Sequence, residues 1–175
     1  MKKTILLLAF VIFSTYSFSQ DGMYGVRAGL NISNLDFEPS PPISNEHRNG
    51  FAIGFFAEYD LCETIGIAPE IQFSAEGAKE KDIRLDYIQI PILFKYRFGE
   101  RFSLGAGPMA GVKVWEHKDS FKNFAFSMVG GLEFFITGDI FIDARYHYGF
   151  TNIFDDEVGF EAKNSNLQIG IGVKM

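Results

Sequence analysis

A regular alternation of apolar and polar residues constrains the fold of this chain more than any other feature. In the stretch IFIDARYHYGF, Asp143, Arg145 and His147 are separated from one another by single apolar or aromatic residues. Residues two apart in a β-strand point to the same face, so one face of this segment is charged and the other is apolar. A helical period of 3.6 would scatter the charges around the axis. The stretch therefore predicts a strand between two very different environments.

Eight segments of the chain show the same alternation. They cover residues 24–32, 51–59, 65–73, 88–98, 102–114, 124–136, 140–150 and 167–175. Their polar faces carry ten charged residues and their apolar faces carry none. Together with His147, these residues are the candidate interior site: Arg27, Glu58, Glu70, Lys95, Arg97, Lys113, Glu133, Asp143, Arg145 and Lys174. The segment lengths suit tilted membrane-spanning strands, which need roughly 9–11 residues.

The start of the sequence has the features of a secretory signal. Lys2 and Lys3 precede the uncharged run Thr4–Gln20, which ends in small residues suited to cleavage. We expect residues 1–19 to be a signal peptide that is removed. An N-terminal membrane anchor is the alternative, because the run is near the lower length limit of a spanning helix.

The connections between the segments alternate in length. Three are short (DLCET, GE and TGD), and four are long and polar, at about residues 33–50, 74–87, 115–123 and 151–166. Short periplasmic turns and long external loops are typical of outer-membrane barrels. No later uncharged run approaches the roughly 20 residues of a spanning helix, and closed barrels are the other architecture that spans a bilayer. Residues 20–175 are therefore predicted to form an all-β, eight-stranded antiparallel transmembrane β-barrel with short periplasmic turns and long extracellular loops.

The polarity of the barrel follows from the composition of the two faces. A soluble barrel of lipocalin type, with an apolar cavity and a polar outside, is the alternative. The polar faces are also rich in Gly, Ala and Ser, which suits the crowded interior of a narrow barrel. The continuous Ile, Phe, Val and Tyr faces are too broad to leave in water. We expect the apolar faces to meet lipid and the charged faces to line the lumen.

Two local features disturb this pattern. Pro69 and Pro108 fall in mid-strand on the apolar faces, and each removes one donor of the hydrogen-bond ladder. We expect a bulge or a local break at both. The phase is ambiguous near Ile88, because Leu85 and Tyr87 fit the opposite face.

Net charge and cysteine content exclude several classes of partner and site. Without the two lysines of the signal, 14 basic residues stand against 22 acidic ones, a net charge of about −8 that argues against nucleic acid as a partner. Cys62 is the only cysteine, so an intrachain disulfide and a cysteine-based zinc site are both excluded. His47, His117 and His147 lie far apart in sequence, and neither a metal site nor a cofactor is predicted.

Four stretches carry a family resemblance. YGVRAGLNISNL, YIQIPILFKYRF, FSLGAGPMAGV and LQIGIGVKM resemble the outer-membrane β-barrel proteins of Bacteroidetes, often called PorT-like or porin-family proteins. The resemblance covers about Tyr24 to Met175 and implies a barrel in the outer membrane. PorT itself is associated with a secretion system. The resemblance supplies no catalytic residues, and the chain ends in Met175 where such proteins often end in an aromatic residue read by the assembly machinery.

The charged interior admits two functional interpretations. Buried charges must be paired or hydrated, so the first is a plug of salt bridges that fixes the register and fills the barrel. The second is a narrow, gated path for water or ions. Eight strands enclose too little space for a general diffusion pore.

An enzymatic interpretation is weaker. Asp143, Arg145 and His147 resemble an acid–base set, and His147 with Ser127 or Glu133 would suggest a lipid hydrolase, since some eight-stranded barrels modify lipid A. Alternate residues of one strand are about 7 Å apart, however, and these face inward, away from the bilayer. Ion pairing within the strand is the simpler interpretation, and no enzyme activity is predicted.

The expected partners follow from the location and the loops. They are outer-membrane lipid and lipopolysaccharide, the assembly machinery, and a possible protein partner of the extracellular loops, such as the proline-rich segment Asp36–Gly50. Asp155, Asp156 and Glu157 would suit a Ca²⁺ ion, but a solvated acidic loop tip is the simpler interpretation and the one we favour. Aromatic residues near the strand ends predict two girdles at the membrane interfaces. They are Tyr24, Tyr59, Phe98 and Phe102 at one end, and Phe51, Phe73, Trp115, Phe124 and Phe150 at the other.

Overall fold

The computed structural model describes residues 22–38, 46–79, 83–116, 122–153 and 161–175. The predicted signal peptide, residues 1–19, lies outside the described residues. The same holds for His117 and for the acidic group Asp155, Asp156 and Glu157.

Eight antiparallel strands form a closed barrel in which each strand pairs with its sequence neighbours and β1 pairs with β8. The predicted fold class is confirmed, and each predicted segment is one strand. Among the residues that the structure describes, no helix has the length and apolar character to cross a bilayer. The strands are β1 Met23–Glu38, β2 Arg48–Asp60, β3 Ile65–Gly77, β4 Arg84–Phe98, β5 Phe102–Glu116, β6 Phe124–Phe135, β7 Ile140–Gly149 and β8 Glu161–Lys174.

The two ends of the barrel differ in their connections. The turn end carries the short connections 61–64, 99–101 and 136–139. The first described residues and the last ones also lie there, where the amide of Met175 donates to the carbonyl oxygen of Tyr24 at 2.6 Å. The opposite end, the loop end, carries the other four connections. In an outer-membrane barrel the turn end is periplasmic and the loop end is extracellular.

Strands β3 and β4 extend further toward the loop end than the segments predicted from the apolar–polar alternation of the sequence. The predicted loop 74–87 is wrong over most of its length, because β3 continues to Gly77 and β4 already begins at Arg84. At the start of β4 the usual pattern is reversed, because the apolar residues Leu85 and Tyr87 are buried and the charged residues Arg84 and Asp86 between and beside them are only half-buried. The alternation of burial itself continues without a break through β4. Leu85 and Tyr87 therefore face inward, which resolves the ambiguous phase.

Large apolar side chains cover the outside of the barrel. Leu30 is 70% exposed, Phe55 64% and Ile169 56%. Aromatic rings form connected groups at both ends of this band. Near the turn end, Phe98 and Phe102 stack with ring centroids 5.6 Å apart, and near the loop end the centroids of Phe51 and Phe73 are 5.4 Å apart. An apolar band flanked by aromatic rings is the outer surface typical of a β-barrel that contacts lipid.

The prolines interrupt the ladder without shifting it. Of the two expected irregularities at Pro69 and Pro108, the structure shows the local break and no bulge, because the strand register is the same on both sides of each proline. Backbone pairing is instead skipped over two residues between neighbouring strands, once each at Pro69, Pro91 and Pro108. A proline lacks the N–H that a ladder pair needs, which explains the gaps. The register shift in this region lies between Asp86 and Tyr87, where β4 meets β5.

Gly107 marks the closest backbone approach in this interrupted region. A Cβ there would overlap the carbonyl oxygen of Ile92, whereas a Cβ at Gly105 on the same face of β5 would lie 3.5 Å from Lys95 Cγ. We expect Gly107→Ala to destabilise the barrel by about 1–3 kcal/mol, because backbone must move to admit the methyl group. Gly105→Ala is the matched control and should stay within about 0.5 kcal/mol. Urea unfolding in lipid vesicles measures both, and equal stabilities would contradict the close approach.

Candidate functional site

Charged side chains fill the turn-end half of the lumen. Glu58 on β2 is fully buried and accepts hydrogen bonds from Lys95 on β4 at 2.9 Å and from Lys174 on β8 at 2.7 Å. Arg97 donates to the second Glu58 oxygen at 3.2 Å and also pairs with Asp60 at the mouth of the barrel. One carboxylate thus gathers three cations from two strands.

A second group of ion pairs occupies the middle of the lumen. Arg27 donates through two nitrogens to Asp143, at 2.6 and 3.1 Å. Arg145 donates to Glu70 at 2.7 Å and lies 3.4 Å from Glu133. The Arg145–Asp143 pair within β7 is longer, at 3.8 Å. The dominant pairs therefore cross the lumen between strands, and the pair within one strand is secondary.

Lys95 joins the two groups. Its ammonium lies 2.7 Å from Glu133 and also donates to Glu58. Among the described residues, five cations and five carboxylates are linked in one network, to which every strand except β5 contributes. Its members are Arg27, Lys95, Arg97, Arg145, Lys174, Glu58, Asp60, Glu70, Glu133 and Asp143.

Glycines on the inner wall make room for these long side chains. A Cβ at Gly131 would lie 2.7 Å from Arg145 Cγ, and a Cβ at Gly170 would lie 2.9 Å from Arg27 Nη2. Both contacts are shorter than a methyl group tolerates. The small residues seen on the polar faces are thus the space in which the charges pack.

Two residues of the predicted set lie outside this network. Lys113 is half-buried on β5 opposite Tyr87, whereas Lys95 lies opposite Gly105, far nearer the turn end of the same strand. His147 is buried on the inner face of β7, and neither ring nitrogen has a hydrogen-bond partner among the described residues. Neither Ser127 nor Glu133 therefore forms a nucleophile–base or acid–base hydrogen bond with His147.

The sequence interpretation missed Glu76, which was assigned to a loop. Glu76 is a buried inward residue of β3. Ser74 Oγ, Gln89 Nε2 and Asn166 Nδ2 hydrogen-bond to one carboxylate oxygen at 2.7, 2.9 and 3.1 Å, and Asn164 donates to the other. The spacing of Gln72, Ser74 and Glu76 continues the alternation, and this was the signal that could have located Glu76 in the lumen. The loop-end half of the lumen is therefore lined mainly by uncharged amides and hydroxyls around one carboxylate.

An apolar cluster, here called the outer cap, lies inside the barrel beyond this layer. Tyr87 on β4 and Leu35 on β1 pack there with Ile153, which comes from the connection after β7. All members are at least nine-tenths buried. The outer cap consists of Leu35, Ala78, Ile83, Leu85, Tyr87, Ile153 and Ala162. The lumen thus changes from ionic, through neutral polar, to apolar between the turn end and the loop end.

Three described side chains in the turns and at the loop end, outside the membrane-spanning part, have shifted pKa values. A backbone hydrogen bond from Thr64 lowers the pKa of the exposed Cys62 thiol in the turn after β2. At the loop end, the hydrogen bond from Lys79 lowers the pKa of Glu46 and raises that of Lys79. Both members of this second pair are exposed, so it adds little to stability. In the part of the chain with described coordinates, no group of three His, Cys, Asp or Glu side chains is placed to hold a metal ion.

A family model described as the outer membrane protein beta-barrel domain matches residues 18–155. The chain belongs to this family. The match spans most of the sequence and agrees with the closed barrel and its apolar exterior. The protein is an outer-membrane β-barrel protein, and the outer membrane is its location.

Solved structures of small outer-membrane barrels share the fold. Ail, the attachment invasion locus protein of Yersinia pestis, is 18% identical with a TM-score of 0.58, over 88% of this chain and 99% of that chain. Neisserial surface protein A is 15% identical with a TM-score of 0.58, over 87% and 97% of the two chains. The N-terminal barrel domain of Pseudomonas aeruginosa OprF is 11% identical with a TM-score of 0.50, over 89% and 98%. A search of curated proteins finds no match.

Proposed function

We propose that this outer-membrane barrel is a closed scaffold with a structural, adhesive or secretion-associated role, in which the lumen is plugged and the extracellular loops make contacts. The continuous ion-pair network carries this proposal. It draws side chains from seven strands across the narrow axis, and its central members are at most a few per cent exposed.

The energetics of the network support a structural role. A buried charge is costly unless it is paired and hydrogen-bonded, and each central charge here has partners from more than one strand. An ion that crossed the lumen would have to separate these pairs. Such pairs also favour one strand register, because a slip of one residue would turn the charges toward lipid.

The outer cap supports closure independently of the charges. Its buried apolar side chains fill the outermost part of the lumen at the loop end, where the network does not reach. A solute entering from outside would meet an apolar barrier first and the ionic barrier afterwards.

Single-channel recording in planar lipid bilayers tests the closed scaffold. We expect the purified barrel to insert and to show no conductance steps above the bare-bilayer baseline, whereas a large porin recorded in parallel supplies the positive control. Stable steps that scale with salt concentration would instead establish the narrow ion or solute channel, and would overturn the plug.

Lipid A mass spectra test the remaining alternative. We expect expression of the protein to leave lipid A unchanged, because the described geometry gives His147 no hydrogen-bonded partner. A mass change that disappears in His147→Ala would establish a lipid-modifying enzyme instead.

We also propose how the chain is processed, which proteins it is related to and what it binds. Residues 1–19 act as the signal peptide, and the assembly machinery inserts residues 20–175 among outer-membrane lipid and lipopolysaccharide. The sequence resemblance supports a place among the PorT-like proteins of Bacteroidetes. A protein partner would bind the extracellular loops, and the name of the attachment protein Ail supports the adhesive form of this idea.

A further inference from the structure

A small cavity lies inside the loop-end half of the barrel, directly beneath the outer cap. Its volume is about 20 Å³. This cavity, here called the chamber, has room for about one water molecule. Its wall includes Glu76, Tyr87, Met109, Ser127, His147 and Ile153.

His147 gives the chamber a specific chemistry. The side chain is 3% exposed, lines the chamber, and has two ring nitrogens without a hydrogen-bond partner among the described residues. A neutral imidazole offers one donor and one acceptor. Buried polar groups of this kind are almost always satisfied in folded proteins, since leaving them unpaired costs free energy. The ring therefore needs a small ligand that can both donate and accept.

The surroundings of His147 favour an uncharged ligand. The carboxylate of Glu76 repels an anion. Its two oxygens already accept hydrogen bonds from one hydroxyl and three amides, so they are not left open for a cation. Water fits the size, the donor–acceptor demand and the charge of the site.

The roof of the chamber is apolar and comes partly from one short segment. Ile153 lines the chamber and packs in the outer cap, where it is 3% exposed. Its amide donates to the Ala162 carbonyl at 2.9 Å, and its carbonyl accepts from Lys122 at 2.8 Å. Thr151 anchors the segment to β6 by accepting from the Phe126 amide at 3.0 Å. Residues 150–153, here called the strap, thus hold Ile153 over the chamber.

We propose that the chamber is an internal binding site for one water molecule, or a neutral solute of that size, held by His147 and separated from the cell exterior by Ile153. The site is distinct from the ion-pair network and does not depend on it. A lumen that conducts ions would contradict the plug, whereas only the hydration of the chamber and the burial of His147 decide this site.

Methyl-labelled methionine tests whether the chamber is hydrated. Met109 is 3% exposed and lines the chamber, whereas Met128 is 43% exposed on the lipid-facing side. In the barrel in deuterated micelles, we expect a nuclear Overhauser effect from water to the Met109 methyl group and none to Met128. The Met109 signal should disappear in His147→Phe, which removes the polar partner. Absence of the signal in the unaltered protein, or its persistence in His147→Phe, would overturn the water site.

Cysteine labelling tests whether Ile153 separates the chamber from the cell exterior. His147→Cys is made in a Cys62→Ser background, because Cys62 is exposed and would react first. We expect methyl methanethiosulfonate to modify the new thiol about 10–100-fold faster when Ile153→Gly is added, since the burial of one isoleucine side chain then no longer holds the strap closed. Phe150→Gly is the matched control, because Phe150 lies in the same strap but is exposed to the outside, and it should leave the rate unchanged. Equal modification rates with and without Ile153→Gly would show that Ile153 does not close the chamber. If the glycine variant does not assemble, Ile153→Ala provides the same comparison.

Discussion

Ile142→Arg is expected to lower the free energy of unfolding by about 2–4 kcal/mol, or to block assembly outright. Ile142 is the third residue of β7, and it is 44% exposed on the apolar exterior of the barrel. An arginine there must hold a guanidinium in the hydrocarbon core or distort the bilayer to reach water. Urea unfolding in vesicles gives the free energy, and the heat-modifiable band on gels reports the assembled fraction.

The matched control places the same residue outside the membrane. Asn49 is an exposed residue of β2 beyond the ring of Phe51, toward the loop end. Asn49→Arg should change stability by less than about 0.5 kcal/mol, because its charge remains in water. If both variants assembled equally well, the lipid-facing assignment of the apolar surface would be wrong.

Arg145→Leu is expected to destabilise the barrel by about 3–5 kcal/mol. Of the cations that the structure describes, Arg145 alone contacts all three of Glu70, Glu133 and Asp143, at 2.7, 3.4 and 3.8 Å. Its loss leaves buried carboxylates with fewer partners in a space that is too narrow for bulk water. Equilibrium unfolding in vesicles measures the loss.

Two further variants separate pairing from simple loss of volume. Adding Glu70→Leu to Arg145→Leu should recover part of the stability, because the carboxylate that lost its shortest ion pair is then removed as well. The double-mutant cycle gives the coupling energy between the two residues. Arg97→Leu should cost less than Arg145→Leu, since Arg97 lies at the mouth with 23% of its side chain exposed. Additive effects in the cycle would contradict a direct ion pair between Arg145 and Glu70.

The strands and their facing were predictable because both follow from a local rule. A residue such as Ile142 or Asp143 shows its environment through its immediate neighbours, since successive side chains of a strand point to opposite faces. The rule of apolar residues outside and polar residues inside ended at the membrane edge, where the apolar residues Leu85 and Tyr87 point inward into the outer cap. Glu76 was assigned to a loop for the same reason. Its neighbours in β3, Ala75 and Gly77, are not large apolar residues, so the sequence showed no lipid-facing side there.

The partners of each charge were not predictable from local spacing. The sequence placed Asp143 and Arg145 on one face and suggested that they pair, yet Asp143 pairs mainly with Arg27 and Arg145 with Glu70. Those contacts depend on which strands meet across the closed barrel and on how far each is shifted along its neighbour. The same dependence left His147 beside a chamber and outside the network.

The sequence alone determined that this chain forms eight strands, which side of each faces lipid, and that the charges lie within the barrel. The tertiary structure alone decided how those charges pair, that Glu76 lies inside, and that Ile153 and its neighbours cap the lumen. The division has a physical cause. Facing is set by each residue's own hydrophobicity and a period of two, whereas pairing and cavities arise when distant residues are brought together by ring closure.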